Sequence, residues 1–402
     1  MLWVDAFVEY RDPGARQLLY ALPRLQAEGW KVSIWCLRSD APRESVDHIF
    51  LPALPLPGSL RLLWFGLIAN LYGAWRWLSG QPRPAEIIHA NCGLYFPADL
   101  VSVHFLNCVW LRKHLALGFE SLKEVAQFLI HCGGAIFERL QWWSPWTRKA
   151  LPVSDSVGAE VRLRCRSQIE IETLPNAYDE TRFNRDIRAT HRLAVRDRFG
   201  WSEGEIAFAF MSLGHHKRKG FWLAVEALAS LRAEGHGEIR FLVIGGLPPT
   251  LAALQHRLDR SFAGWREWIV FTGAQPAVEP YLAAADAFFY PSYFEAFCLA
   301  EIEAAALGLP LLLTPHHGSE MILRDGVNGC LLSFEPAQMA GQLRRFLERG
   351  AASFRYDIGQ ALTRTAYAER LLAIYESLRL SQPPQPPQPA SAAADRPRRA
   401  GD

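Results

Sequence analysis

The strongest constraint on the fold is a succession of short, uninterrupted apolar runs separated by helical patterns, at 206–213, 239–244, 269–271, 287–290 and 309–313. A strand that is apolar at every position must be covered on both faces, and helices on either side of a parallel sheet provide that cover. The second half of the chain therefore reads as a doubly wound α/β domain. The first half repeats the pattern less cleanly, with strand candidates at 31–36, 86–89, 100–105, 150–153 and 169–174 and long hydrophobic helices between them, including 120–143. The expected class is α/β, with two Rossmann-like doubly wound domains facing a central cleft.

A chain of 402 residues, half of them apolar, is long enough for two such cores. The stretch 176–204 is polar, dense in Arg and Asp and weakly periodic, so it is read as the connection between domains. The expected organisation is an N-terminal Rossmann-like domain over 1–185, a C-terminal domain over 186–364, one more amphipathic helix over 365–380 and a tail over 381–402. The tail opens on a Gln-Pro-Pro repeat that cannot build a core and is expected to be disordered. The segment 60–78 is strongly apolar, but Arg61, Asn70 and Arg76 interrupt it, and it is read as a buried or interfacial helix rather than a membrane span.

Charge narrows the partners. With 43 basic and 41 acidic residues the net charge is +2, too little for a field that would hold nucleic acid, so no nucleic-acid partner is expected. The seven cysteines are scattered without a C-x-x-C pair, and Asp5, Glu9 and Asp12 stand where an export signal would place basic residues. A cytoplasmic location is expected.

In an open α/β sheet, ligands lie beyond the carboxyl ends of the strands. The residues after the apolar runs of the second half are the segment 214–220 with Lys217, Arg218 and Lys219, then Gly245-Gly246, Thr272-Gly273 and the segment 291–295. Lysine is scarce in this chain, which sets Lys217 and Lys219 apart. Arg218 is suited to grip phosphate oxygens bidentately and Lys219 to act on them as a compact charge; a solvated loop is the other reading of the same cluster. Glu295 follows a strand, residues 297–299 are expected to open a helix, and Glu303 lies about two turns in. That spacing separates the two carboxylates by about 12 Å, the reach from ribose to transferred group in a nucleotide-linked substrate. First-turn N–H groups between them offer a diphosphate site. Glu301 is expected on the solvent face from its helical phase.

No Walker loop, no G-x-G-x-x-G after a strand and no Asp-x-Asp clamp is present, and the pairs His215-His216 and His316-His317 lack the spacing of two ligands on one helix face. No metal is expected.

The stretch 207–332 resembles the donor-binding domain of retaining glycosyltransferases of the GT-B fold, family 4. The likeness rests on Gly214 with Arg218-Lys219-Gly220, on Ala285-Asp286 leading to Tyr290-Pro291-Ser292, on Glu295 with Glu303, and on Gly318-Ser319-Glu320 followed by the segment 325–329. It implies that Arg218 and Lys219 hold the donor diphosphate, that Glu295 contacts the transferred sugar, and that Glu303 takes the ribose hydroxyls. Gly245 and the backbone at Phe297, Cys298 and Leu299 would complete the donor site, with UDP- or GDP-linked sugar as substrate and no other cofactor. Pro175-Asn176 looks like the family's interdomain signature, and by the same likeness His104 would face the sugar and phosphate across the cleft; a satisfied histidine at a strand end is the plainer reading. Two departures stand out. Only Gly14 remains of a Gly-Gly pair near the amino end, and Glu295-Ala296-Phe297-Cys298 puts side chains where the family has glycine. Backbone N–H donation is expected to survive both.

The acceptor belongs to the N-terminal half, where Trp64, Trp75, Trp77, Trp110, Trp142, Trp143 and Trp146 occur with Arg112, Lys113, Arg148 and Lys149. Two readings of these rings are open, a peripheral contact with anionic lipid and the filling of a core. The function expected is transfer of a hexose-type sugar, without a metal, to a glycan or lipid-linked acceptor in cell-envelope polysaccharide synthesis. A sugar-nucleotide epimerase of similar fold and an inactive sugar-nucleotide-binding or scaffold subunit are the rivals. The Glu295/Glu303 pair with Arg218-Lys219 speaks against the first, and turnover that depends on His104 would speak against the second.

Overall fold

The computed structural model describes residues 1–381 apart from 59, 120, 121, 356, 357, 359 and 360. The expected disordered tail, Ser381 aside, lies outside the described residues. Two parallel sheets carry the architecture. From edge to edge the first runs Asp47–Phe50, Ser33–Cys36, Leu2–Val4, Ile88–Asn91, Leu100–Val103, Lys149–Pro152, Glu170–Ile171. The second runs Ile269–Gly273, Ile239–Ile244, Ile206–Met211, Ala287–Tyr290, Leu311–Leu313, Gly329–Leu331.

In each sheet the strand first in sequence lies in the interior, and the chain winds outward first to one side and then to the other. Connections on the two sides leave toward opposite faces, which opens a crevice at the carboxyl ends beside that first strand. The crevice of the second sheet lies between Ile206–Met211 and Ala287–Tyr290. That of the first lies between Leu2–Val4 and Ile88–Asn91. The continuous apolar runs are buried on both faces as their composition requires, with Phe208, Phe210, Phe241, Phe288 and Phe289 fully inaccessible.

The stretch 176–204 is more than a connection. It contains the helix Arg185–Arg198, whose N-cap Asn184 accepts from Ile187 N–H at 3.0 Å. Its inner face carries Arg188, Arg192 and Arg196 with Ile187 and Val195, and the arginines are why apolar periodicity did not reveal it. Arg188 donates to the Gly308 and Ala285 carbonyls, and Arg196, 3% exposed, donates to the carbonyls of Ala284, Ser202 and Glu205 and to Asp286. The helix packs on Glu279–Ala283 of the second domain.

The C-terminal helix Arg364–Leu380 returns to the first domain and packs along Pro13–Ala27. The Tyr375 hydroxyl accepts from the Trp3 indole N–H at 3.0 Å and meets His89 Nδ1 at 2.7 Å, while His89 Nε2 lies 2.8 Å from the Ser102 hydroxyl. Two chain crossings thus join the domains, and they run side by side: Tyr178 N–H donates to the Leu362 carbonyl at 3.0 Å and Arg364 N–H to the Tyr178 carbonyl at 2.9 Å.

The segment 60–78 is the helix Leu60–Leu78, and no helix among the described residues is long and apolar enough to cross a membrane. The tryptophans divide between the two readings. Trp142 is buried, whereas Trp75, Trp77, Trp143 and Trp146 are all more than half exposed. Two of the cations expected beside them are taken up internally: Lys149 is buried against Glu170 and Glu172 at 2.8 and 2.7 Å, and Arg148 donates to the Leu378 carbonyl and Ser381 hydroxyl.

Candidate active site

At the crevice of the second sheet the segment 214–220 turns tightly enough for Lys219 N–H to donate to the His215 carbonyl and Gly220 N–H to the Lys217 carbonyl, both at 3.0 Å. Gly220 closes the turn at φ +77°, with its α-carbon against the Pro291 carbonyl. The next crevice wall, residues 291–295, is bound to this turn through backbone and side chain. Tyr293 N–H donates to the Arg218 carbonyl at 2.9 Å, and Arg218 Nη1 donates to the Phe294 carbonyl at 2.8 Å.

Arg218 also lies 3.5 Å from Glu295 Oε2, and Lys219 Nζ stands 5.3 Å over the Tyr290 ring. Glu295 is nearly buried, with the Tyr290 and Ser292 hydroxyls donating to Oε1 at 3.1 and 3.2 Å. Burial would push its carboxyl up, but Arg218, Lys219 and His316, with the Tyr290 hydrogen bond, hold it below the ordinary range. The structure therefore presents a carboxylate and a guanidinium side by side at the end of a strand. The helix opens at Leu299, and Cys298 at its N-cap makes no side-chain cap bond; Glu301 N–H donates to the Cys298 carbonyl at 3.3 Å, and the Leu299 and Ala300 N–H groups keep their capacity for a ligand. Phe297, Cys298 and Leu299 are all buried. Burial, with Glu301 and Glu295, pushes the Cys298 thiol well up, which makes it a packing group rather than a nucleophile.

Glu303 reaches the other domain, lying 3.6 Å from Arg16. Burial pushes it up to about 7, with Arg16 and Arg182 pulling the other way and Glu279 adding to the rise. Gly14 sits on the same turn of helix as Arg16, and a Cβ there would stand 3.1 Å from the His104 ring. Its backbone is not available as expected: the Gly14 and Ala15 N–H groups donate to Asp12 Oδ1 at 2.9 and 3.1 Å, the ordinary N-cap arrangement. What glycine permits here is the approach of His104. That imidazole is lowered to about 4 by burial, Asn176 opposing, so it is neutral near pH 7. Gly245 likewise gives its N–H to the Gly273 carbonyl at 3.0 Å, and it is a close-packing position against the Ser212 carbonyl.

The two crevices face each other across one cleft. Ser154 Oγ donates to the Ala296 carbonyl at 2.9 Å, Ser156 N–H to Glu320 Oε1 at 3.0 Å, and the Trp110 and Phe294 rings lie 5.2 Å apart. His104 and Gly14 thus line the N-terminal side, Arg218, Lys219, Glu295 and Glu303 the C-terminal side. No group of three or more His, Cys, Asp or Glu that would hold a metal occurs among the described residues.

Glu301 corrects the sequence expectation. It is 0% exposed, because Leu299–Ala306 is buried along nearly its whole length and has no solvent face to give it. Its Oε1 lies 2.7 Å from His316 Nε2, also 0% exposed in its side chain. The small residues around Glu301 and Glu303 were the available signal, since a helix of alanines with no other charge has little to show water. Arg16 carried no signal at all, its partner being 287 positions away in another domain.

Residues 206–349 match the family model of glycosyl transferases group 1. The chain carries a glycosyl transferases group 1 domain. Every C-terminal site residue named above falls inside that domain. The D-inositol 3-phosphate glycosyltransferase of Nocardia farcinica is 33% identical over 186 residues, 44% of this chain and 40% of the relative, so the chain matches less than half the length of that protein. Over the whole molecule, the crystal structure of WaaG, a glycosyltransferase involved in lipopolysaccharide biosynthesis, superposes with a TM-score of 0.65 at 20% identity, covering 94% of this chain and 95% of that one. The Anabaena HepE structure in complex with UDP and glucose gives a TM-score of 0.65 at 15% identity, over 94% and 99%. The fold is GT-B, with the group 1 domain as its C-terminal half.

Proposed function

We propose that the chain is a retaining, metal-independent glycosyltransferase that moves a hexose-type sugar from a UDP- or GDP-linked donor to a glycan or lipid-linked acceptor in cell-envelope polysaccharide synthesis. The observation that carries this reading is the placement of Arg218, Lys219 and a helix N-terminus without a side-chain cap around Glu295 at the crevice, with Glu303 about one turn into that helix rather than the two expected from the sequence. A diphosphate leaving group gains negative charge as the glycosidic bond breaks. Two cations and free N–H groups already in place stabilise that charge without reorganising. Glu295 would hold hydroxyls of the transferred sugar, Glu303 those of the ribose, and His104 would meet the sugar from the opposite wall. In the retaining step the C–O bond to the diphosphate breaks and the acceptor hydroxyl bonds to the anomeric carbon from the same face. Its proton goes to the departing phosphate oxygen. The HepE complex supports a nucleotide sugar as ligand, and WaaG supports a role in envelope glycan assembly.

The test is thermal stabilisation of the purified protein by UDP-, GDP- and ADP-sugars with and without EDTA. A bound donor at a hundredfold excess over its Kd adds about 2.7 kcal/mol, so one of the three raises Tm by several degrees, and EDTA leaves the rise intact. No shift with any of them overturns the donor reading; a shift lost in EDTA overturns metal independence.

Peripheral membrane contact is the second reading an observation favours. Leu67, Leu71 and Trp75 on Leu60–Leu78, and Leu129, Ile136 and Trp143 on Leu122–Trp143, are exposed at helical spacing, and the two helices pack together through Gly66 against Phe137 and Gly133 against Leu63. Two adjacent apolar stripes suit a lipid interface. The protein is expected to sediment with anionic vesicles at low salt, and its complete retention in the supernatant would remove this reading.

A further inference from the structure

Glu301 and His316 have no part in the mechanism above, yet they place two titratable side chains in contact with no access to water. Counting protons decides what they are. His316 Nδ1 lies 2.7 Å from the Thr314 carbonyl oxygen, which only accepts, so Nδ1 carries a hydrogen. Nε2 then presents a lone pair unless it is protonated as well, and an ionised Glu301 presents only lone pairs. The ring N–H direction lies off the line between them, so the contact is an ion pair rather than a linear hydrogen bond, but at 2.7 Å two bare lone pairs would repel and one of the two groups must carry a proton, whether the imidazole or the carboxyl.

The contact joins two segments that wall the donor crevice. One is the opening of the helix, with Glu295 and the backbone of 296–298; the other is the turn after Leu311–Leu313, where Gly318 is pressed so closely on Phe297 that a Cβ would stand 3.0 Å from its α-carbon. Thr314 Oγ1 donates to the Ser292 carbonyl at 2.7 Å in the same layer. We propose that Glu301 and His316 hold one shared proton as a positioning pair, locking these two walls together so that sugar-nucleotide binding requires the protonated pair.

The directions of titration agree. Burial would strip the imidazole of its proton, but Glu301, with Glu295 behind it, holds that proton above the ordinary 6.5. Burial raises Glu301, with His316 only partly opposing. Both shifts mean that the folded state binds more protons than the unfolded chain near neutrality. The pair's stabilising contribution is therefore complete below the unfolded imidazole value and is lost as pH rises through the folded one. The groups facing the pair are Tyr290 and Glu295 at the end of Ala287–Tyr290, Cys298 at the helix cap, Arg218 and Lys219 across Glu295, and His317 next in the chain. Tyr290 and Cys298 are pushed well up by burial, Glu295 is held low, and burial lowers His317 below 6.5. Glu303, at about 7, also titrates in this range, but it belongs to the Arg16 contact, and burial, Arg16, Arg182 and Glu279 rather than Glu301 set its value.

This inference rests on the donor reading, and the experiment separates the two. In the wild-type protein, the ring nitrogens of His316 are followed by NMR from pH 6 to 10, and the affinity for the best sugar nucleotide is measured across the same range. The expected result is an imidazole that stays doubly protonated, or shares its proton with the carboxyl, above 6.5, and an affinity that falls about tenfold per pH unit once that proton leaves. Glu301→Gln supplies an amide N–H to the bare Nε2 and keeps the tie without the extra proton. Its affinity should match wild type at pH 6.5 and lose the His316-linked part of the decline. A His316 ring titrating at or below 6.5, or a Glu301→Gln protein with the full wild-type decline, overturns the proposal. If neither protein binds any sugar nucleotide at any pH, the donor reading fails, and the wild-type NMR titration still decides the shared proton.

Discussion

Replacing both Arg218 and Lys219 with alanine should abolish detectable sugar-nucleotide binding and lower kcat/KM by about 10²–10⁴-fold while leaving the protein folded. Each hydrogen bond to a charged group is worth about 1.5–3 kcal/mol, and two directed at one diphosphate give about 3–6 kcal/mol. Both side chains act on Glu295 and would meet the same diphosphate, so their effects will not add. Glu295 responds as well. Without these two cations the buried carboxyl keeps His316 and the Tyr290 and Ser292 hydroxyls, and burial then drives it upward from its present low value. The segment 291–295 remains held by the backbone bond from Tyr293 N–H to the Arg218 carbonyl, which alanine preserves. Titration calorimetry and single-turnover kinetics, with circular dichroism as the control for folding, read this directly. Donor affinity within threefold of wild type would remove the two cations from the site.

Gly220→Ala should be the most damaging single substitution in the crevice. A Cβ at this position would lie 1.9 Å from the Pro291 carbonyl oxygen, a backbone atom with no rotamer to escape into, and φ is +77°. The left-handed conformation alone costs about 1–2 kcal/mol; the overlap forces the 214–220 turn away from 291–295 and costs more, so a total of about 4 kcal/mol or greater is expected, at the exceptional end of single substitutions. Arg218 would lose the Phe294 carbonyl and its placement beside Glu295 in the same movement. Gly200→Ala is the control, since φ there is +68° but nothing lies within 4 Å. Chemical denaturation should show a loss near the conformational cost alone for Gly200→Ala and a much larger one for Gly220→Ala. Equal losses in the two variants would mean that the Pro291 contact is not limiting.

The second sheet was legible because burial on both faces writes itself into composition: the run 239–244 is the strand Ile239–Ile244, and 287–290 is Ala287–Tyr290. The helix Leu60–Leu78 was legible at both ends from its apolar run alone, although only Phe65, Gly66 and Ala69 of it are buried. Leu2–Val4 was not, since three residues at a chain end carry no period, and only their neighbours in the sheet make them a central strand. Arg185–Arg198 hid because its inward face is held by guanidinium groups on carbonyls, a form of burial that hydropathy registers as exposure. At the site, Arg218, Lys219, Glu295 and Glu303 stood out through their place after strands and along one helix, all local properties. Arg16 against Glu303 and Glu301 against His316 are made by the meeting of distant segments. Gly14 marks the boundary between the two cases: its smallness was readable, but the capture of its N–H by Asp12 was not.

The return of the C-terminal helix to the first domain also orders events during synthesis. The Trp3 indole N–H bonds a hydroxyl 372 residues later. At about 5–20 residues per second that partner arrives roughly 20–70 s afterwards. Through this interval the groove along Pro13–Ala27 stays open, with Leu18, Leu22 and Leu25 uncovered, while the second domain emerges and folds. The nascent chain thus displays an apolar surface that Arg364–Leu380 covers only after the second domain has been made.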